Sequence, residues 1–376
     1  MIKQIRHFWQ YFKMDTPLFL LIISLSTFGL IVLHSASAGS MQMIYKQMIH
    51  FAIAISAMLV IAQIPPYQFK RYSPYLMLFG IFLLLLVILF GSKSGGAQRW
   101  LDLGFVRFQP SELMKVIVPI AIASILSEKT LPPKALSVLL SLVAIVVIVL
   151  LIAKQPDLGT SLLIGASGFY VLFFSGVRIQ IMRNNWLNFA LISSFIVGSA
   201  YIAWNYLLIA YQKKRIMTLI DPSSDPLGSG YHILQSKIAI GSGGLFGKGL
   251  EQGSQSQLNF LPEHATDFIF SVIAEELGLL GVVFLLIIYG LIIYRGFVIS
   301  FQSEDNFSKL LGASLTMVFF TYVFVNIGMV SGLLPVVGVP LPLISYGGSS
   351  LITLMSSFGI IMSIRKHKIP RYLSKL

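Results

Sequence analysis

Long apolar runs recur along the whole 376-residue chain, separated by short polar breaks. A hydrocarbon core about 30 Å deep needs roughly 20 apolar residues in a helix. Ten stretches meet that measure, at about 17–35, 48–64, 74–91, 110–127, 135–153, 157–176, 186–207, 268–294, 309–331 and 348–364. They predict an all-α integral membrane protein: one domain over 1–376, a polytopic bundle of about ten transmembrane helices with a large extracytoplasmic loop near 208–266. The first run is not read as a cleaved signal, because no small-residue cleavage site stands clear of the second run. The sequence shows no internal repeat and no low-complexity segment.

Composition agrees with the pattern. The chain is 56% hydrophobic and 11% charged, against about 25% charged in a soluble protein. The net charge of +13 would suggest nucleic acid on a soluble chain. Here the basic residues sit between apolar runs, so they are topology signals and no nucleic-acid partner is expected. Lys3, Arg6 and Lys13 precede the first run; Arg365, Lys366, Lys368, Arg371 and Lys375 follow the last. Alternate loops add Lys70, Arg71, Lys129, Lys134, Arg178, Arg183 and Arg295. An excess of Lys and Arg marks the cytoplasmic side, so both termini are expected there. Loops 91–109, 208–266 and 332–347 then face outward. There is no cysteine, which excludes disulfides, cysteine-based zinc sites and thiol chemistry.

The outer loops hold the candidate chemistry. Segment 332–350 is apolar yet broken by Pro335, Pro340 and Pro342, so it cannot be a regular helix. Broken backbone at membrane depth survives only against protein or a water-filled cavity, which predicts a re-entrant or surface-hugging loop. Glu112 and Lys115, three apart at the outer end of the fourth run, share a helix face. They form a structural ion pair, or Lys115 is a cation facing an outer cavity. Asp157 suits a helix cap. Asp267 opens the eighth run, where Thr266 or Asp267 could cap a helix; a continuous helix over 268–294 would be roughly 40 Å long. Such a helix sets Glu275 and Glu276 at the outer interface and Asp267 a turn or two above it, with Glu263 a turn earlier. Lys213, Lys214, Arg215, Lys237 and Lys248 could meet phosphate through charge-assisted hydrogen bonds, although solvated surface charge accounts for many of them.

Other signals fail. GSGGLFGKG at 241–249 resembles a P-loop but has Ser242 where glycine is needed and Gly249 where Ser or Thr is needed. Asn306, Phe307 and Ser308 match a glycosylation sequon in a loop expected to be cytoplasmic. The six histidines lack metal-ligand spacing. Two function classes remain: an enzyme acting on a lipid-linked, phosphate-bearing substrate, or a flippase moving such a lipid. A transporter calls for inverted repeats and ionisable groups near the midplane. Neither is present, which favours the enzyme. A scaffold without chemistry is the third reading.

Five stretches carry a family resemblance: AQRWLDLGFVRFQPSELMK (97–115), QPDLGTS (155–161), DPSSDPLGSGYHILQSKIAIGSGGLFGKG (221–249), FLPEHATDFIFSVIAEELG (260–278) and VNIGMVSGLLPVVGVPLPLISYGGSS (325–350). On these the chain resembles the SEDS family (shape, elongation, division and sporulation), and AQIPP at 62–66 is similar to its elongation members. The resemblance implies a peptidoglycan glycosyltransferase of the bacterial cytoplasmic (inner) membrane. Its substrate would be lipid II, a disaccharide-pentapeptide on undecaprenyl pyrophosphate. Its partners would be a class B penicillin-binding transpeptidase and the MreB, MreC and MreD rod proteins, and its cofactor a divalent cation, Mg or Mn. The family's essential aspartate maps onto Asp267, as general base or metal ligand. Lys115 and Arg107 would stabilise the leaving pyrophosphate, with Arg215 and Lys248 behind them and Glu112 holding Lys115. A helix N-terminus lowers a carboxylate's pKa and burial raises it, so the basicity of Asp267 depends on which dominates.

Overall fold

The apolar runs fold as helices in the computed structural model, which describes residues 14–367 apart from 95–96, 103, 105–106, 129–130, 156, 178–192, 195–197, 199–200, 202–203, 206–207, 209, 226–227 and 258–262. Helices α1 (Thr16–Ala36), α2 (Met41–Ile61) and α3 (Pro66–Phe90) come first. A small antiparallel sheet follows, of β1 (Ser92–Ser94), β2 (Ala97–Asp102) and β3 (Arg107–Phe108). Then come α4 (Pro110–Leu126), α5 (Ala135–Ala153) and α6 (Leu158–Phe174). The expected span at 186–207 falls largely outside the described residues. Beyond it lie α7 (Ala210–Ile220), α8 (Ser229–Ser242) and the short α9 (Ser254–Gln257), then α10 (Ile269–Phe301), α11 (Asn306–Val330) and α12 (Ser349–Lys366).

Six of these helices, α1, α2, α3, α5, α10 and α11, are long and apolar enough to cross a membrane. Helix α6 is apolar but shorter, while α4 and α12 bury most of their side chains among their neighbours. The chain is a multi-pass membrane protein. Two spans begin earlier than the hydropathy pattern predicts. Helix α2 starts at Met41, its Lys46 exposed and its buried Gln47 bonded to Ser345 O and Gly347 N, and α3 starts at Pro66, a residue suited to the first helical turn.

The start of α1 and the last turns of α10 and α12 meet at one face. Asp15 caps α1 and takes a bidentate contact from Arg295 of α10, at 2.9 and 2.7 Å, with Arg365 of α12 at 3.8 Å. Arg295 is thus not the end of its helix: neutralised by Asp15, it lets α10 run on to Phe301.

Helix α10 departs from the expected continuous rod. Gly278 has φ +63° and ψ −163°, which breaks it in two. The glycine-rich loop enters the break. Lys248 N and Gly249 N donate to Glu275 O and Glu276 O at 3.0 Å, while Leu279 N donates to Gly244 O at 2.9 Å. Backbone approaches so closely that a Cβ on Gly278 would stand 2.3 Å from Gly247 N. The GSGGLFGKG motif therefore supplies hydrogen bonds to a broken helix, satisfying groups that would otherwise be orphaned.

Segment 331–348 is non-helical, as its prolines require; its stretch 341–345 is buried, with Leu341, Leu343 and Ile344 almost inaccessible, while Leu333 and Gly338 are exposed. It packs between α1, where a Cβ on Gly29 would meet Leu343 O, and α6, where one on Gly159 would meet Val337 O. Its buried carbonyls find side-chain donors: Tyr289 Oη donates to Pro342 O at 2.8 Å and Gln47 Nε2 to Ser345 O at 3.3 Å.

Candidate active site

Asp267 lies in the turn that leads into α10, on the face opposite Asp15 and Arg295. Glu263 begins that turn with a left-handed φ of +58°, and its carbonyl accepts from Thr266 N and Phe268 N. Backbone strain of this kind persists only where surroundings enforce it. Phe268 is the N-cap of α10 and no side chain caps it. The capping role foreseen for Thr266 or Asp267 is absent: Thr266 Oγ1 turns back to Glu263 O at 3.1 Å, which leaves the Asp267 carboxylate clear of the helix end.

The carboxylate is half-buried, and the described residues give it no hydrogen bond. Burial disfavours its charged form and lifts its pKa to about 6; the nearby Glu263 carboxylate adds to the rise, and the Arg215 guanidinium opposes it. Burial is the largest of these causes. The last outer loop closes over this group. A Cβ on Gly338 would stand 3.4 Å from Asp267 Oδ2, and that glycine has φ +73°. Arg215, on α7, donates from Nη1 to Val336 O at 2.7 Å. His232, on α8, stacks near Phe268 with ring centroids 5.7 Å apart. Burial lowers its pKa against the pull of Glu263 and Asp225, so the imidazole beside this turn is neutral.

The structure brings Asp267, Glu263 and Arg215 together and places the other candidates elsewhere. Lys115 Nζ pairs with Glu112 Oε1 at 2.5 Å and lies 4.8 Å from the Tyr322 ring centroid. Lys115 is 4% exposed and Glu112 6%, so this is the buried ion pair rather than a cation facing an open cavity. Asp157 caps α6 through Thr160 N, accepts from Gln109 Nε2 at 3.0 Å and has Arg99 Nε at 3.6 Å. Lys248 is held by buried Glu275 at 2.6 Å, a pair that pins the glycine-rich loop to α10. Arg107 is exposed and paired with Asp102 at 3.2 Å on the small sheet. Lys214 pairs with Asp225 at 3.0 Å, and Lys213 sits 6.0 Å from the Trp204 ring centroid. The exposed Lys237 runs over Gly332.

No group of three or more His, Asp or Glu side chains among the described residues could by itself hold a metal ion. Asp267 and Glu263 supply two carboxylates. That fits a magnesium-type ion, which binds one or two carboxylates and completes its shell with water and substrate phosphates.

Asn326 and Ser345, not singled out from sequence, both touch the Asp267 turn. Asn326 Nδ2 donates to Asp267 O at 2.9 Å and Ser345 Oγ to Thr266 O at 2.6 Å. For Asn326 the signal was legible: an amide inside the apolar run VFVNIGMV has to find buried partners.

Comparison with known proteins finds relatives over nearly the whole chain. The sequence model of the FtsW, RodA and SpoVE family, described as cell cycle proteins, matches residues 16–369. The peptidoglycan glycosyltransferase MrdB of Escherichia coli K12 is 49% identical over 361 residues, 96% of each chain. A probable peptidoglycan glycosyltransferase FtsW of Trichlorobacter lovleyi is 33% identical, over 97% of this chain and 96% of the relative. Among solved structures, a chain of a peptidoglycan synthase complex superposes with a TM-score of 0.80 at 30% identity, covering 94% of this chain and 98% of that one. The rod shape determining protein RodA of Thermus thermophilus superposes with a TM-score of 0.71 at 26% identity, covering 95% and 98%. A match that spans nearly the whole chain, and includes the Asp267 turn and the loop that covers it, leaves one assignment: this protein is a member of the FtsW, RodA and SpoVE family.

Proposed function

We infer that the chain is a peptidoglycan glycosyltransferase that polymerises lipid II during cell elongation. The observation that carries the chemistry is the Asp267 carboxylate, half-buried, without a hydrogen bond among the described residues, and lifted to a pKa of about 6. A group of that basicity is ionised at neutral pH yet still accepts a proton usefully.

The donor sugar is α-linked to pyrophosphate and the product bond is β-1,4, so one displacement with inversion suffices. The acceptor's 4-hydroxyl oxygen attacks the anomeric carbon and its proton passes to Asp267. The bond from that carbon to the pyrophosphate oxygen breaks, and the undecaprenyl pyrophosphate leaves with the electron pair. Arg215, fixed by Val336 O, contributes positive charge beside the reacting groups. For a magnesium or manganese ion, Asp267 and Glu263 are the residues that would hold it, and it would supply charge to the departing pyrophosphate. Lys115, Glu112, Asp157 and Lys248 serve as support: they fix the helices and the glycine-rich loop around the turn.

The partner we assign is a class B penicillin-binding transpeptidase, a reading supported by the superposition on a chain of a synthase complex. MreB, MreC and MreD complete the expected rod assembly, in the cytoplasmic membrane, with both termini on the cytoplasmic side. The test is polymerisation of lipid II by the purified protein with its transpeptidase. Asp267→Asn should lower the rate by about 10²–10⁴-fold while membrane insertion and partner binding persist. Full activity in that variant would remove Asp267 from the reaction. Transbilayer movement of labelled lipid II without polymer would favour the flippase instead.

A further inference from the structure

We propose that Asn326 and Ser345 are positioning residues that join the Asp267 turn to the last outer loop, so that the carboxylate and the loop covering it move as one body. The proposal rests on the reading of Asp267 as the group that takes the acceptor's proton.

Three consecutive carbonyls of the turn are gripped from outside it. Ala265 O accepts from Tyr346 N at 2.9 Å, Thr266 O from Ser345 Oγ at 2.6 Å, and Asp267 O from Asn326 Nδ2 at 2.9 Å. Two of these donors also hold the loop. Asn326 Nδ2 donates to Val339 O at 2.7 Å, and Ser345 Oγ accepts from Leu341 N at 2.8 Å. Each side chain therefore bridges the same two segments, one on either side of the bend at Pro340. Asn326 is fully buried and Ser345 6% exposed, so water does not compete for these bonds. Both amide hydrogens of Asn326 go to main-chain carbonyls, while its Oδ1 has no partner among the described residues. Reversing the amide would set that oxygen against two carbonyl oxygens, so the orientation is fixed by chemistry.

The consequence falls on Gly338. It follows Val336, held by Arg215, and precedes Val339, held by Asn326. It also lines the near side of the Asp267 carboxylate. With both flanks tied, the space between Gly338 and Asp267 Oδ2 is set by Arg215 on one side and Asn326 on the other. Base catalysis is sensitive to that spacing, since a displacement of about 1 Å can cost about 100-fold.

The full chain with its transpeptidase partner provides the test, in three variants: Asn326→Leu, Ser345→Ala and Ser345→Thr. The first two should speed amide exchange at Leu341 and Tyr346 by about tenfold. They should lower kcat by about 10–100-fold with KM within about twofold. Ser345→Thr keeps the hydroxyl and should restore both the exchange rate and the kinetics. Unchanged exchange overturns the clamp. Faster exchange with kcat unchanged, or lost activity that Ser345→Thr does not restore, assigns the two residues to fold stability alone and overturns the positioning role. Activity in Asp267→Asn would instead overturn the reading of Asp267, and the exchange measurement would still decide the clamp.

Discussion

Two sets of carboxylates sit in this protein and are treated in opposite ways. Glu112 and Glu275 are buried deep, and each is matched by a lysine at 2.5 and 2.6 Å. Asp267 and Glu263 stand close enough to raise the energy of a second negative charge, and neither is in an ion pair among the described residues. A carboxylate given its own cation is held in one state and serves the fold. One left beside a like charge and half out of water is poised to exchange a proton. The contrast explains why proximity to the outer face in sequence did not sort these four carboxylates, whereas pairing in space does.

The paired set should respond most strongly to disruption. Removing one member of a buried ion pair costs about 3–5 kcal/mol because the other charge is stranded. Lys115→Ala and Glu112→Gln should each lower thermal stability sharply in a detergent melt. The double replacement Glu112→Leu with Lys115→Met should recover most of it; if the double variant melts as low as the singles, the pair is not the source of that stability. Lys248→Ala should cost less, about 1–3 kcal/mol, because Glu275 keeps Ser254 Oγ and Gln255 N. Amide exchange should then quicken at 244–249, and an unchanged rate there would separate the ion pair from the helix break.

The unpaired set should change rate more than stability. Arg215→Ala removes both the charge opposing the rise in the Asp267 pKa and the donor to Val336 O. It should lower kcat by about 10–100-fold and move the acidic limb of the pH profile upward. Glu263→Gln removes the like charge, so the limb should move downward; kcat should also fall, because one of the two carboxylates that would hold the metal ion is lost. Shifts in the same direction for both variants would contradict the electrostatic account of Asp267.

Much of this was legible before folding. Apolar runs marked the helices, three prolines marked the broken loop, and Pro156 followed by Asp157 marked the cap of α6. Asp267 stood out as an acid at the mouth of an apolar run. The rest depends on contacts distant in sequence. Gly278 breaks α10 only because Gly247 arrives from another segment, and nothing local to 268–294 distinguishes it from a glycine tolerated in a straight helix. Lys248 reads as a free cation until Glu275, 27 residues away, is found beneath it. The roles of Asn326 and Ser345 require knowing which carbonyls lie across from them, which periodicity does not encode.

The pH dependence of kcat/KM for lipid II polymerisation tests the central claim most directly. The folded protein's Asp267 must be ionised to accept the proton, so the rate should fall as pH drops through about 6. An acidic limb near 6, absent from the residual activity of Asp267→Asn, is the predicted result. A limb near 4, or one near 6 that survives in Asp267→Asn, would show that the proton goes elsewhere.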